Sequence, residues 1–284
     1  MLEKILLADS GAGNTEAMLK VLMALPIVQR ASINVLHVVP PQVSAEAMTD
    51  KWEAGGKILA DAIRNLDLDP QKVTAMLRQG EPKDVVCKVA DEIEASLIIM
   101  GSRGLKGLKA ILNNSVSQYV FQLSSRPMLL VKDDLYAIRP IKRVLVAMNK
   151  SDSAQEGLSL AISFLRDVKN GELTLVHSVS DLRTKPSDET NPDPSKDPIL
   201  LPAAAEAKKY GISYKCLAPK GKPGSRICQL AEETRADLLI LGSPDRRPSV
   251  AKGLPDLDRL LGGSLSDYVR VYAPCPVLLT RMGA

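Results

Sequence analysis

Residues 95–104 read Ala-Ser-Leu-Ile-Ile-Met-Gly-Ser-Arg-Gly, and nine residues further on come Asn114 and Ser115. Four apolar residues, Leu97 to Met100, ended by glycine, predict a buried parallel strand whose C-terminal end opens into a loop. Gly101 and Gly104 lack a Cβ, so the backbone there can take positive φ and come close to a ligand. Asn114-Ser115 then opens a helical stretch, Val116 to Leu123, whose first N–H groups have no partner within the helix. A glycine loop facing a helix N-terminus is a natural cradle for phosphate.

Moving outward, Lys4 to Ala8 is a short apolar strand that stops at Asp9-Ser10-Gly11. Asn14-Thr15 caps a helix expected to run to about Arg30. Ile33 to Val39 is a second strand, followed by a helix from Ala45 to about Asn65 and a third strand from Lys72 to Arg78. Gly80-Glu81-Pro82 turns the chain into a helix from Asp84 to Glu94, with proline where its missing N–H costs nothing. The helix after Ser115 leads to a last strand, Met128 to Val131. Strands alternating with helices of this length imply right-handed βαβ units and a parallel sheet covered on both faces.

The pattern then starts again. Val144 to Met148 is a strand, Ala154 to Val168 a helix and Leu173 to His177 a strand. Ala236 to Ser243 repeats Ala95 to Ser102, and Gly263-Ser264 repeats Asn114-Ser115. Asp9 to Asn149 and His37 to His177 are offset by 140, Gly80 to Gly221 and Gly101 to Gly242 by 141, and Ser115 to Ser264 and Pro127 to Pro276 by 149. A register that holds so long and jumps once is a tandem duplication with an insertion in one loop. The expected domains are 1–135 and 141–284, with 136–140 as linker. Ser180 to Pro198, rich in Pro, Asp and Ser, is expected to be a mobile loop.

Bulk properties fit this division. The chain has 284 residues, enough for two domains of ordinary size. Charge is mild: 15 basic against 16 acidic residues over 1–138, and 22 against 17 over 139–284. That is too dispersed for nucleic-acid binding, and aromatics, at 3%, offer few platforms for bases. No apolar run reaches the length of a membrane span, and the charged N-terminus is not a signal peptide. Cys87, Cys216, Cys228 and Cys275 form no CxxC pair, so a reduced, cytoplasmic protein is expected.

The spacing Gly-x2-Gly-x9-Asn-Ser resembles the Gly-x2-Gly-x9-Gly-Ser/Thr signature of the universal stress protein family, with Asn114 where the family has glycine. Asn tolerates left-handed φ better than most residues. Both halves resemble that family, and the likeness covers nearly the whole chain. It implies two tandem α/β, doubly wound domains, each a five-stranded parallel sheet in the order 3-2-1-4-5 with helices on both faces. It also implies a cytoplasmic stress-response protein binding an adenine nucleotide in its N-terminal domain. That ligand would be ATP with Mg²⁺, or else AMP or ADP. Residue by residue, the resemblance places Asp9 near adenine and ribose, Val38 as a backbone contact and Met100 beside the base. Gly101, Arg103, Gly104, Asn114, Ser115 and the Val116 amide fall to the phosphates. In the family, domains pair through strand 5. Here that implies an internal pairing of Met128 to Val131 with Val277 to Thr280, and two such chains pairing further as a homodimer.

The second half departs from the signature. Asn149 replaces the acidic residue, Lys150 follows it, and Pro244 and Asp245 stand in the loop beside Arg246 and Arg247. Its site is expected to be degenerate or adapted to another ligand.

Other classes were weighed on the same residues. Gly11 to Glu16 imitates a dinucleotide fingerprint but lacks the third glycine, and there is no P-loop. No residues resemble a nucleophile with its base, so no catalytic residue or metal site is assigned. His37 and His177 read as packing and hydrogen-bonding residues, Cys87 and Cys228 as small core residues, and Trp52 as core or a surface contact. The main alternative is a nucleotide-free module acting through protein partners. An adenylylating enzyme is the third reading, and its Ser-Gly-Gly-x-Asp-Ser and His-x-Gly-His signatures are absent.

Overall fold

The structure, a computed structural model, describes residues 2–102, 116–132, 137–178, 193–243 and 264–281. They fall in two compact units that divide between Ile138 and Arg139.

The first unit holds β1 (Lys4–Ala8), β2 (Ser32–Val39), β3 (Val73–Gln79), β4 (Leu97–Ser102) and β5 (Met128–Lys132). All pair in parallel in the order β3-β2-β1-β4-β5. Its helices are α1 (Thr15–Met23), α2 (Ala45–Leu66), α3 (Pro82–Glu92) and α4 (Val116–Leu123). α1 packs with α2, and α3 with α4. Right-handed crossovers put one pair on each face when the strand order reverses between β1 and β4. Ile5, Leu6 and Leu7 are wholly buried, which is why β1 reads as an unbroken apolar run and does not alternate.

The second unit repeats this plan with β6 (Arg143–Ala147), β7 (Glu172–Val176), β8 (Ser213–Leu217), β9 (Leu238–Gly242) and β10 (Val277–Thr280). Their order is β8-β7-β6-β9-β10, again parallel. Its helices are α5 (Asp152–Leu165), α6 (Leu200–Lys209), α7 (Pro223–Glu233) and α8 (Leu265–Tyr272). The α/β class and the 3-2-1-4-5 order are those expected from the sequence.

Several boundaries differ. α1 stops at Met23, well short of Arg30. Pro26 lacks an N–H and keeps the residue before it out of the helical region. The chain continues in tight turns, Leu25 to Leu22, Val28 to Leu25 and Ala31 to Val28, that still bury Val28 and Ala31. β4 does not break at Gly101. It runs on through Ser102 because β5 supplies partners for both, Val131 and Lys132. Of the stretch expected as a mobile loop, 193–198 carries a 3-10 turn at Pro194–Lys196, and 180–192 lie outside the described residues. α6 and β8, which the sequence left unassigned, follow it.

α2 is the longest helix described, at 22 residues, with Ser44 Oγ capping it by accepting the Ala47 N–H at 3.1 Å. Two adjacent glycines in its middle have opposite surroundings. A Cβ on Gly55 would lie 2.9 Å from Leu77, 3.0 Å from His37 and 3.1 Å from Val39, so α2 lies close on β2 and β3 there. A Cβ on Gly56 would have nothing within 4 Å. Trp52, three residues before Gly55, is exposed.

The two glycines therefore predict opposite signs. Gly56→Ala should stabilise the protein by about 0.5–1 kcal/mol by removing a helix-interior glycine. Gly55→Ala should destabilise it by about 1–3 kcal/mol by overpacking. Urea unfolding of the two variants beside the parent chain checks both; the same sign for both would refute the packing account.

Candidate ligand-binding site

In this topology the crossovers leave β1 and β4 in opposite directions, so a crevice opens at the C-terminal ends of those strands. A cavity of about 700 Å³ lies there. Asp9 and Ser10 line it from the end of β1, Leu36 to Val39 from β2, and Met100 and Gly101 from β4. Val116 and Ser117 enter from the first turn of α4, and Lys51, Ala54, Gly55 and Ile58 from one face of α2. The spacing of those four, i, i+3, i+4, i+7, is the stripe that a helix turns toward a neighbour.

Asp9 is the cavity's acidic group and is 6% exposed. Its Oδ1 accepts the Gly11 N–H at 3.1 Å. Its Oδ2 is buried and has no hydrogen-bond partner among the described residues. Burial pushes the Asp9 carboxyl up from its ordinary 3.8, and Glu16 adds to this; the Gly11 N–H and His37 pull the other way. A buried carboxylate oxygen without a donor is costly. It is also what a ligand bearing hydroxyl or amine hydrogens would satisfy.

The two halves differ here by one residue. The Asp9 N–H donates to the Leu36 carbonyl at 2.9 Å, the rung that Met148 occupies against Val176 at 2.7 Å. Ala8 pairs with Leu36 as Ala147 pairs with Val176. By ladder position Asp9 thus corresponds to Met148, which corrects the sequence alignment of Asp9 with Asn149. By turn geometry the alignment stands, since Asn149 Oδ1 accepts the Ser151 N–H at 2.8 Å, as Asp9 accepts that of Gly11. The first half is one residue short at this turn. Its carboxylate is drawn back onto the last rung, where the second half buries a methionine.

At the corresponding strand ends the second half makes close internal contacts. A Cβ on Gly242 would lie 2.6 Å from the Ala154 nitrogen and 2.8 Å from the Ser153 carbonyl carbon, so the start of α5 lies directly on the end of β9. Thr280 Oγ1 donates to the Ser153 carbonyl at 2.7 Å and holds it there. Asn149 Oδ1 is further taken by the Ser151 hydroxyl at 2.6 Å. At the start of α8, Ser264 Oγ accepts the Asp267 N–H at 3.2 Å and donates to Asp267 Oδ2 at 2.6 Å. Asp267 is buried, with Arg270 at 3.9 Å. A carboxylate already sits where a helix N-terminus would otherwise attract an anion.

The structure therefore brings Asp9, Val38, Met100, Gly101 and Val116 to one cavity. Arg103, Gly104, Asn114 and Ser115 lie outside the described residues, as do Pro244, Asp245, Arg246, Arg247 and Gly263. The sequence missed the α2 face and Ser117; the Gly55-Gly56 pair inside a helix was the signal for the former. His37 does hydrogen-bond, its Nδ1 lying 2.9 Å from the Asp9 carbonyl oxygen, and it also lines the cavity. His177, in the same place on β7, instead meets Asp197 Oδ2 at 2.8 Å. Burial alone would raise Asp197; hydrogen bonds from His177 and the Ile199 and Leu200 N–H groups outweigh it and hold the carboxyl below 3.8. Burial, with Asp91 and Asp84 nearby, pushes the Cys87 thiol up to about 12, so it stays protonated and unreactive.

The model of the universal stress protein family matches residues 1–132 and again 140–281. Universal stress protein YxiE of Bacillus subtilis is 30% identical over 148 residues, which span 46% of this chain and all of that protein. A universal stress protein of Thermus aquaticus is 29% identical over 139 residues, again 46% of this chain and the whole relative. A crystal structure of a universal stress protein from Archaeoglobus fulgidus superposes with a TM-score of 0.78 at 24% identity, covering 100% of this chain and 97% of that one. That likeness extends the shared fold over both units.

The raised Asp9 carboxyl has a defined sign. Its protonated form is favoured by folding, so its contribution to stability is full below about 3.8, the unfolded value, and is lost as pH rises through the folded value. Asp9→Asn should therefore make the ligand-free protein more stable at neutral pH, with the advantage shrinking toward pH 3. Urea denaturation across pH 3–7 checks this; an Asp9→Asn variant less stable at pH 7 would contradict it.

Proposed function

We propose that this chain, which belongs to the universal stress protein family and carries two of its domains in tandem, binds an adenine nucleotide, with ATP first among them, in its N-terminal half. The observation that carries the proposal is Asp9, which lines a cavity that reaches the first turn of α4 and whose buried Oδ2 has no donor among the described residues. A nucleoside supplies what that oxygen lacks, through ribose hydroxyls or an exocyclic amine. The backbone at Val38, at the end of an already paired strand, offers polar edges to a base, and Met100 offers an apolar face. The phosphates would run past Gly101 toward the start of α4 at Val116 and Ser117, where a helix N-terminus favours an anion. Arg103, Gly104, Asn114 and Ser115 join β4 to α4, and the proposal assigns them to the same phosphates. Mg²⁺ would enter as part of the ATP ligand.

The C-terminal half is proposed to bind no nucleotide. α5 lies on Gly242, Asn149 is engaged by Ser151, and Asp267 answers the α8 N-terminus. Those internal contacts favour an interaction role for the half. The pairing of the halves through their fifth strands, the homodimer and the cytoplasmic, regulatory role belong to the same proposal.

Nucleotide content tests it first. Protein purified without added nucleotide is denatured and its supernatant run on an ion-exchange column; stripped protein is then titrated with ATP and Mg²⁺, ADP and AMP by calorimetry. About one nucleotide per chain is expected. Gly101→Val, which puts a branched side chain on the cavity wall, should weaken binding at least tenfold. Two nucleotides per chain would overturn the account of the second half, and none by either method would sink the proposal.

A further inference from the structure

We infer that His37 is the positioning residue of this site: its imidazole holds the Asp9 carbonyl and so fixes where the free carboxylate oxygen points. The inference rests on the nucleotide proposal above for its ligand and on the geometry alone for its clamp.

A carbonyl oxygen can only accept, so the 2.9 Å contact requires the proton on His37 Nδ1. Asp9 is thereby tied to β2 at both ends of its peptide framework. Leu36 takes its N–H at 2.9 Å, and His37, the next residue along, takes its carbonyl. With the backbone held, Oδ1 reaches the Gly11 N–H, and Oδ2 stays buried without a hydrogen-bond partner among the described residues. The ring has a prepared place. Gly55 of α2 leaves room that a Cβ would close, coming within 3.0 Å of His37 Cδ2.

The second half serves as an internal control. His177 has the same sheet position, yet its Nδ1 goes to Asp197, the residue that also accepts the Ile199 and Leu200 N–H groups at the start of α6. There the turn residue is Asn149, and its side-chain oxygen is spent on Ser151. The imidazole clamp and the free carboxylate oxygen occur together in one half and are both replaced in the other. Among the described residues, the charged groups that share the surroundings of Asp9 are Glu16 of α1, His37 of β2 and Lys51 of α2.

The test uses the full chain, stripped of nucleotide, as wild type, His37→Leu, His37→Asn, Asp9→Asn and the double variant His37→Leu with Asp9→Asn. Titration with ATP and Mg²⁺ should show His37→Leu about tenfold weaker, the size of one lost buried hydrogen bond. His37→Asn, whose amide nitrogen can stand where Nδ1 stood, should recover most of that loss. On the Asp9→Asn background His37→Leu should add nothing, because it acts through Asp9. Additive losses would mean that His37 meets the ligand directly and would overturn the inference, as would an unchanged affinity in His37→Leu. A second readout needs no ligand: nitrogen NMR of the His37 ring in the free protein, which should show the proton on Nδ1, as the contact to the Asp9 carbonyl requires. A neutral ring with its proton on Nε2 overturns the clamp. A wild type that takes no ATP while the ring carries its proton on Nδ1 sinks the nucleotide proposal and leaves the clamp standing.

Discussion

A parallel strand buried on both faces needs a neighbour on each edge and cover above and below; β1 is paired on both edges, packs against α1 and is wholly buried in its middle. Ile5, Leu6 and Leu7 are inaccessible to solvent, each contributing about 2 kcal/mol by burial. β2 and β4 hold its two edges. Ser96 Oγ ties its start to β4, taking the Glu3 and Lys4 N–H groups and donating to the Lys4 carbonyl. Everything else in the unit is placed by this strand. Because the chain leaves β1 toward one side of the sheet and returns to β4 on the other, no crossover covers their C-terminal ends. The cavity is the space that this reversal leaves, and its wall residues are those that happen to stand at the last rungs.

The second unit obeys the same constraint with different chemistry. Asp237 does there what Ser96 does here, accepting the Lys142 and Arg143 N–H groups at the start of β6 and holding the Arg143 side chain at 2.9 Å. The support of the central strand is kept in both units, and the chemistry at its C-terminal end differs. In the second unit polar groups there are satisfied internally, by the Thr280 bond to Ser153 and the Ser264–Asp267 cap.

Asp9 shows the opposite tendency. One residue fewer at the end of β1 brings a carboxylate onto a rung that the other half fills with methionine. The fold then tolerates a buried oxygen without a donor among the described residues, and His37 and Gly11 limit the damage by fixing its backbone and its other oxygen. Polar groups that are badly placed for stability and well placed for a ligand mark a site more strongly than the glycine pattern around it.

The sequence by itself determined the fold class and the duplication, because hydrophobic period, glycine spacing and repeat offset are local properties written along the chain; the strand order came only as what the family resemblance of its motifs implies. It also named five residues that do meet at one cavity, Asp9, Val38, Met100, Gly101 and Val116. Only the tertiary structure decided three other things. It showed that α1 ends at Met23 yet still buries Val28 and Ala31 through its turns, because burial there depends on the neighbouring sheet. It set Asp9 opposite Leu36, on the rung of Met148, because register comes from inter-strand hydrogen bonds, and an alignment of turns does not contain them. And it brought His37, Lys51 and Ile58 to the cavity, because α2 crosses β2 at a distance set by Gly55, and that approach exists only once helix and sheet have packed.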